Sequence, residues 1–184
     1  MAIFKFINKK YDTHKDLYNL VNYIKARAIM LYSPNIFVRS TEAICSQFLY
    51  YKKFYYKTHG NQAVHFCLSI DSKKLETHIT QQDLLNAANM ISLIFKNYQT
   101  IIALHTDKSS HWDIHIVCNS VSFLTGARFH ISHNDFDQIM NEVAMILSRY
   151  NLALQSVNYY DEEGKLRKGS VTGPFLYQNK NLSL

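Results

Sequence analysis

The segment from Tyr98 to Asn119 constrains the fold more than any other part of this 184-residue sequence. It consists of two short apolar runs, residues 101–104 and 114–118, on either side of a polar connector. Apolar runs that flank a short polar connector are typical of a β-hairpin, and a tight hairpin requires antiparallel pairing. The sequence therefore predicts a pair of antiparallel strands here.

Five ionisable side chains surround this connector: His105, Asp107, His111, Asp113 and His115. Side chains alternate between the two faces of a strand, so His111, Asp113 and His115 share one face. If the polar faces of the two strands coincide, His105 lies across from Asp113 and His115. This pattern outlines a metal site. A solvated strand face that carries the histidines by chance is an equally consistent interpretation.

The rest of the sequence predicts further strands and four helices around the hairpin. The expected strands are Ala2–Ile7, Ala63–Asp71, a second hairpin over Val121–Ile131, and Leu152–Val157. The expected helices run from Thr13 to about Ala28, from Glu42 to Tyr56 after a Thr41 cap, onward from Thr80, and from Asp135 to Tyr150 after a Ser132 or Asn134 cap. Residues 28–39 are predicted to be irregular. This order predicts an α+β fold, with a single mainly antiparallel β-sheet and packed helices.

The first predicted helix places one tyrosine away from its apolar stripe. The stripe consists of Leu17, Leu20, Val21, Ile24 and Ala28. At about 100° per residue, Tyr23 lies roughly 120° from that stripe. The angle predicts that Tyr23 lies on the exposed flank of the helix.

The end of the second predicted helix interleaves aromatic and basic side chains: Tyr50, Tyr51, Lys52, Lys53, Tyr55, Tyr56 and Lys57. Aromatic rings and lysines together can bind single-stranded nucleic acid through base stacking and phosphate contacts. An amphipathic helix whose lysine stems cover apolar surface gives the same pattern. Both interpretations remain open at this stage.

Composition limits the class of protein and its partners. A hydrophobic content of 47% with 18% charged residues indicates a globular chain, and the net charge of +6 favours a polyanionic partner such as nucleic acid. No apolar segment has the length of a signal peptide core or a membrane span. Three scattered cysteines, Cys45, Cys67 and Cys118, are expected to be reduced and buried in a cytoplasmic protein. We expect one domain at 1–158 and a basic tail at 159–184.

Three motifs resemble those of the relaxase/mobilisation nuclease domain, of the MOBP type, within the His-hydrophobe-His endonuclease superfamily. They are LVNYIKA at 20–26, HFCLSI at 65–70, and HTD at 105–107 followed by HIVCNSV and TGARFH. The resemblance spans most of the chain, to about Leu154. It implies a relaxase-like sandwich of sheet and helices.

The resemblance also implies an activity. Relaxases nick one DNA strand at the transfer origin of a mobile element, remain joined to the 5′ phosphate through a tyrosine, and later rejoin the ends. The implied cofactor is a divalent metal ion, Mg²⁺ or Mn²⁺, which would neutralise charge on the scissile phosphate. The implied partners are single-stranded DNA at the origin and accessory mobilisation proteins, in a bacterial cytoplasm.

Matching the motifs residue by residue assigns roles. Tyr23 corresponds to the nucleophile, and His105, Asp113 and His115 correspond to the metal ligands. The family usually has His-x-His where this sequence has Asp113-x-His115, and His111 is the alternative third ligand. Two further catalytic residues are predicted. Asp107 would orient a histidine or take the tyrosine proton, or it is a turn residue, and Ser69 would bind a DNA phosphate, or it is an ordinary strand serine.

Basic residues near these motifs are candidates for phosphate contacts, which position DNA without reading its sequence. They are Lys25, Arg27, Lys52, Lys53 and Arg128. The acidic replacement at Asp113 supports an alternative function, a relaxase-like DNA-binding protein with weak or absent catalysis.

Overall fold

The computed structural model describes residues 2–7, 9–71, 79–108, 111–160 and 166–169, with the backbone alone at 107–108, 133–134, 155–160 and 166–169. The helices are α1 His14–Ala26, α2 Thr41–Phe54, α3 Gln81–Ser92 and α4 His133–Ser148, and a short 3₁₀ helix, Leu93–Phe95, follows α3. The strands are β1 Ala2–Phe6, β2 Met30–Tyr32, β3 Ala63–Asp71, β4 Thr100–Lys108, β5 His111–Asn119, β6 Leu154–Tyr160 and β7 Leu166–Gly169.

These strands form one seven-stranded sheet in the order β2-β4-β5-β3-β1-β6-β7. Every neighbouring pair is antiparallel except β1 and β6, which are parallel. The long hairpin β4–β5 and strand β3 lie next to one another within the sheet. The prediction of an α+β fold with one mainly antiparallel sheet is confirmed.

Helices cover both faces of the sheet. The inner strands carry apolar side chains on each face, and these side chains need to be buried. One face packs against α3 and α4 through a large cluster that includes Phe66, Leu104 and Ile116. The other face packs against α1 and α2 through a smaller cluster that includes Ala103 and Val117. The polar side chains of the hairpin lie on this second face, beside the smaller core.

Side-chain caps fix where the helices begin. Thr13 and Asp16 form a capping box at the start of α1, and Ser132 with Asp135 does the same for α4. In such a box the hydroxyl accepts a backbone N–H while the carboxylate accepts the N–H of the cap residue, so two otherwise unpaired donors are satisfied. The predicted cap of α2 is wrong by one residue, because Ser40 rather than Thr41 accepts the hydrogen bond from Ala43.

Two other predictions need correction. The segment predicted to be irregular contains β2, a three-residue edge strand paired with β4. The second predicted hairpin is instead a turn closed by a single bridge between Val121 and Arg128. The Ser122 hydroxyl accepts the backbone N–H groups of Leu124 and Thr125, and this local hydrogen bonding competes with a strand ladder.

Three remaining expectations have different outcomes. Cys45, Cys67 and Cys118 are buried, unbridged thiols, as predicted. No helix in the described ranges is long and apolar enough to cross a membrane. The division between 158 and 159 stays a prediction, and most of the proposed basic tail, including 170–184, lies outside the described residues.

Candidate functional site

The β4–β5 hairpin brings polar side chains from both strands to one face of the sheet. Asp113 pairs with His105 across the hairpin, and His115 pairs with Ala103. Directly paired residues of antiparallel strands point to the same face, so the predicted coincidence of the two polar faces is confirmed. Strand β3 adds Ser69, which pairs with Asp113 from the other side.

His105 and His115 lie side by side in the interior. Their ring centroids are 4.5 Å apart, and their side chains are 3% and 6% exposed. The Nε2 of His105 lies 2.7 Å from the backbone carbonyl oxygen of Ile24 in α1. A carbonyl only accepts, so His105 donates Nε2–H and, in its neutral form, carries its lone pair on Nδ1. Proteins use this kind of backbone contact to orient histidines that bind metals.

A third histidine extends the pair and connects it to Tyr11. The Nε2 of His65 lies 2.9 Å from Nδ1 of His115, and its Nδ1 lies 3.0 Å from the Tyr11 hydroxyl. Burial, followed by the two neighbouring imidazoles, lowers the pKa of His65 to about 3. Burial also raises the pKa of Tyr11 to about 12, so its phenol keeps its proton. Tyr11, His65 and His115 therefore form a hydrogen-bonded chain in which His65 is neutral.

The sequence gives His65 no role beyond its place in the motif HFCLSI, and the structure places it against His115. Alternation along β3 already assigns His65, Cys67 and Ser69 to one face. The contact also depends on β3 pairing with β5, where Cys67 lies opposite His115. Local patterning does not specify which strands are neighbours, so this contact could not be read from the sequence.

Tyr23 lies above the two central histidines. Its ring is 6.0 Å from the His105 ring and 5.7 Å from the His115 ring, centroid to centroid, and it meets both edge-on. The side chain is 45% exposed, which confirms its predicted place on the flank of α1. The Arg27 guanidinium lies 5.6 Å from the centre of the Tyr23 ring. A solvent-accessible phenol and a cation thus lie at the surface, directly over two buried imidazoles.

The remaining predicted site residues have different surroundings. The Ser69 hydroxyl donates a 2.6 Å hydrogen bond to Oδ1 of Asp113, so Ser69 holds a predicted ligand. His111 is half-buried and pairs with Asp71 of β3, one step further out on the same face. The side chain of Asp107 lies outside the described residues. The roles assigned to these residues stay predictions.

The donors on this face fit a hard divalent cation by their chemistry. His105 and His115 supply imidazole nitrogens, each ring is oriented by a hydrogen bond, and Asp113 supplies a carboxylate on the same face. Within the described ranges, however, no three or more His, Cys, Asp or Glu side chains are already arranged to hold a metal ion. The two imidazoles are assembled, and the complete ligand set stays a prediction.

Comparison with known proteins identifies the family. A family model described as Relaxase: MobA/VirD2-like, nuclease domain matches residues 11–152, well over half of the chain. The chain belongs to the relaxase family. No curated protein and no solved structure gives a significant match. The matched range contains Tyr23 and the histidine cluster, which consists of His65, His105 and His115. The geometry described above therefore belongs to a relaxase nuclease domain. Membership of this family gives the chain a nuclease role that involves DNA.

Most of the basic residues predicted to contact phosphate lie on the surface of this relaxase. Arg27 and Lys53 are exposed, and Lys25 is half-buried. Arg128 is also exposed, although its guanidinium donates a hydrogen bond to the backbone carbonyl of His59. Arg27 is the basic residue whose contact with Tyr23 places a cation at the histidine cluster.

Lys52 departs from the prediction of a surface phosphate contact. It is fully buried, and its Nζ donates hydrogen bonds to the Gln62 carbonyl at 2.6 Å and the Ser120 hydroxyl at 2.8 Å. Its aliphatic stem follows the apolar side of α2, so the ammonium enters the interior instead of reaching solvent. In this structure Lys52 joins the end of α2 to the segments after α2 and β5, and it is not available to DNA.

We expect the stability of this relaxase to rise between pH 7 and 8.5 because of Lys52. Burial, and then the charge of Arg128, lower the pKa of Lys52 from 10.5 to about 7. Within that window the unfolded state binds more protons than the folded state, so stability rises with pH, by at most about 1.4 kcal/mol per pH unit. Urea unfolding at several pH values should show this rise in the wild type and in Lys53→Met. The rise should be missing in Lys52→Met, and an equal rise there would contradict the prediction.

Proposed function

We propose that this relaxase nicks and rejoins one DNA strand at a transfer origin by transesterification, with Tyr23 as the nucleophile. The observation that carries the proposal is the position of the exposed Tyr23 ring over His105 and His115. Tyrosine is a weak nucleophile in its neutral form and needs neighbouring groups that stabilise charge on the phosphate. Arg27, His105 and His115 are such groups beside Tyr23. The half-exposed phenol is accessible to a substrate as large as DNA.

The reaction exchanges one phosphodiester for another. The Tyr23 Oη attacks the scissile phosphorus, the P–O3′ bond breaks, and the leaving 3′ oxygen takes up a proton from water to become a 3′ hydroxyl. The phenolic proton passes to a base, for which Asp107 is the predicted group. The phosphotyrosyl ester conserves the energy of the broken bond, so the reverse attack by a 3′ hydroxyl rejoins the strand without another energy source.

Each described residue has a task in this scheme. Arg27 contacts the phosphate beside the phenol, as a guanidinium suits a phosphate group. His105, Asp113 and His115 would hold a divalent metal ion, and Ser69 keeps the Asp113 carboxylate in place. A bound Mg²⁺ or Mn²⁺ would act as a Lewis acid on the phosphate oxygens.

A labelled library of random single-stranded oligonucleotides tests the proposal without knowledge of the origin sequence. With Mn²⁺ present, a 3′ label should become covalently bound to the protein, while a 5′ label should be released on a fragment that ends in a 3′ hydroxyl. Sequencing the captured DNA would identify the preferred site. Capture of the 5′ label instead would contradict the proposed polarity.

A second function, DNA binding with little or no nicking, is favoured by one observation. Asp113 stands where the resemblance to the family predicts a histidine ligand. Calorimetric titration with Mn²⁺ separates the two functions. Heat from binding in the sub-millimolar range supports the enzyme, and no binding at millimolar Mn²⁺ together with retained DNA binding supports the second function.

We expect Asp113→Ala to weaken Mn²⁺ binding by roughly ten-fold or more, because it removes a carboxylate ligand that suits a hard cation. His111→Ala should change the affinity by less than about two-fold, since that side chain lies one step further out on β5. Titration of both variants, each checked for unchanged unfolding, measures the difference. The reverse order of effects would assign the third ligand to His111.

A further inference from the structure

The chain formed by Tyr11, His65 and His115 can hold its protons in either of two directions. A neutral imidazole has one N–H and one lone pair, so each hydrogen bond in the chain fixes the direction of the next. In the forward direction Tyr11 donates to His65 Nδ1, His65 donates from Nε2 to His115 Nδ1, and His115 keeps its proton on Nε2. In the reversed direction every bond runs the other way, and Nε2 of His115 carries a lone pair.

The surroundings of Tyr11 favour the forward direction. Tyr11 is 4% exposed, and in the described part of the chain its hydroxyl has one hydrogen-bond partner, His65 Nδ1. In the forward direction the phenolic proton occupies that bond. In the reversed direction His65 donates to Tyr11, and the buried phenolic proton loses its acceptor. A buried donor without an acceptor is unfavourable, so the forward arrangement is the more stable one.

The two directions give His115 different properties on the side that points away from His65. An Nε2–H donates a hydrogen bond, which suits a phosphate oxygen. A lone pair on Nε2 binds a divalent cation. The state of His115 is therefore linked to Tyr11, two hydrogen bonds away.

We propose that Tyr11 and His65 are positioning residues that set the tautomer of His115, holding its proton on Nε2 in the metal-free protein and weakening cation binding there. The inference rests on the metal-ligand role proposed for His115. Reversal conserves protons. The Nε2 proton of His115 leaves to solvent, His65 passes its Nε2 proton to His115, Tyr11 passes its proton to His65 Nδ1, and Tyr11 takes up one proton from solvent.

Nitrogen-15 NMR of histidine-labelled, metal-free protein tests the tautomer directly. The wild type should show His115 protonated on Nε2. Tyr11→Phe removes the hydroxyl and should abolish this preference. His65→Gln can still hydrogen-bond His115 Nδ1 but breaks the connection to Tyr11. It should also abolish the preference for a proton on Nε2 of His115. The matched control is Tyr18→Phe, which removes the hydroxyl that donates to Glu42 on the surface. It should leave the spectrum unchanged. A wild-type His115 protonated on Nδ1, or an unchanged tautomer in both variants, overturns the proposal.

Calorimetric titration of the same proteins with Mn²⁺ measures the coupling. Tyr11→Phe should bind Mn²⁺ roughly ten-fold more tightly than the wild type, which corresponds to about 1.4 kcal/mol, and Tyr18→Phe should match the wild type. A residue with a merely structural role would weaken the site when removed, so equal or weaker binding by Tyr11→Phe overturns the coupling. Absence of Mn²⁺ binding in every variant removes both the metal role of His115 and the coupling. The NMR result still decides which residues set the tautomer.

Discussion

Tyr23→Phe is expected to abolish covalent capture of DNA while leaving DNA binding within about five-fold of the wild type. The substitution removes the Oη that would form the phosphotyrosyl ester and keeps the ring that lies against His105 and His115. The DNA-binding free energy should fall only by the contribution of one hydrogen bond from the hydroxyl, about 1 kcal/mol. Denaturing gels with 3′-labelled oligonucleotides measure capture, and fluorescence anisotropy measures binding.

Tyr18→Phe is the matched control for this experiment, because Tyr18 is another exposed tyrosine of the same helix. It should capture DNA as the wild type does. A covalent adduct that persists in Tyr23→Phe would remove Tyr23 from the mechanism. Loss of binding as well as capture would show that the substitution damages the surface, and capture per bound molecule would then be compared.

His105→Ala and His115→Ala are each expected to lower DNA capture by roughly 100- to 1,000-fold, the usual effect of removing one group that stabilises charge in a transition state. Both should also weaken Mn²⁺ binding, because each removes an imidazole from the pair whose rings are 4.5 Å apart. Capture rates under single-turnover conditions and calorimetric titration give the two measurements.

His59→Ala is the control for histidine removal, since His59 is exposed and lies in the segment after α2. It should leave both measurements unchanged. Capture that survives in His105→Ala and His115→Ala at the wild-type rate would contradict the role of the histidine pair. Unfolding curves are needed for the two buried positions, because a lost hydrogen bond such as that from His105 to Ile24 also destabilises the fold.

The hairpin and its face were predictable because their signals are local. Alternation of apolar and polar residues along β4 and β5 placed His105, Asp113 and His115 together, and helical periodicity placed Tyr23 on an exposed flank. Each inference needs only the direction of side chains along a single element, or the pairing of two adjacent strands joined by a short connector.

The features that were missed depend on contacts between distant parts of the chain. The place of His65 follows from the pairing of β3 with β5, and the burial of Lys52 follows from the Gln62 carbonyl and the Ser120 hydroxyl that receive its ammonium. Strand β2 is a short edge strand whose pairing with β4 comes from the sheet, not from its own composition. In each case nothing in the local sequence distinguishes the residue or strand. Its position is determined by a partner that is distant in the chain.

The segment that leads from Tyr11 into α1 contacts the histidine cluster at both ends. Tyr11 reaches His65, and Ile24 receives the hydrogen bond from His105 through its carbonyl, next to Tyr23 in the chain. The number of residues between these contacts is therefore fixed by the distance across the cluster. Adding or deleting one residue would rotate the end of the helix by about 100° and move Tyr23 and Ile24 together. The length of this helix is therefore set by the histidines beneath it, as well as by the packing of its own apolar side chains.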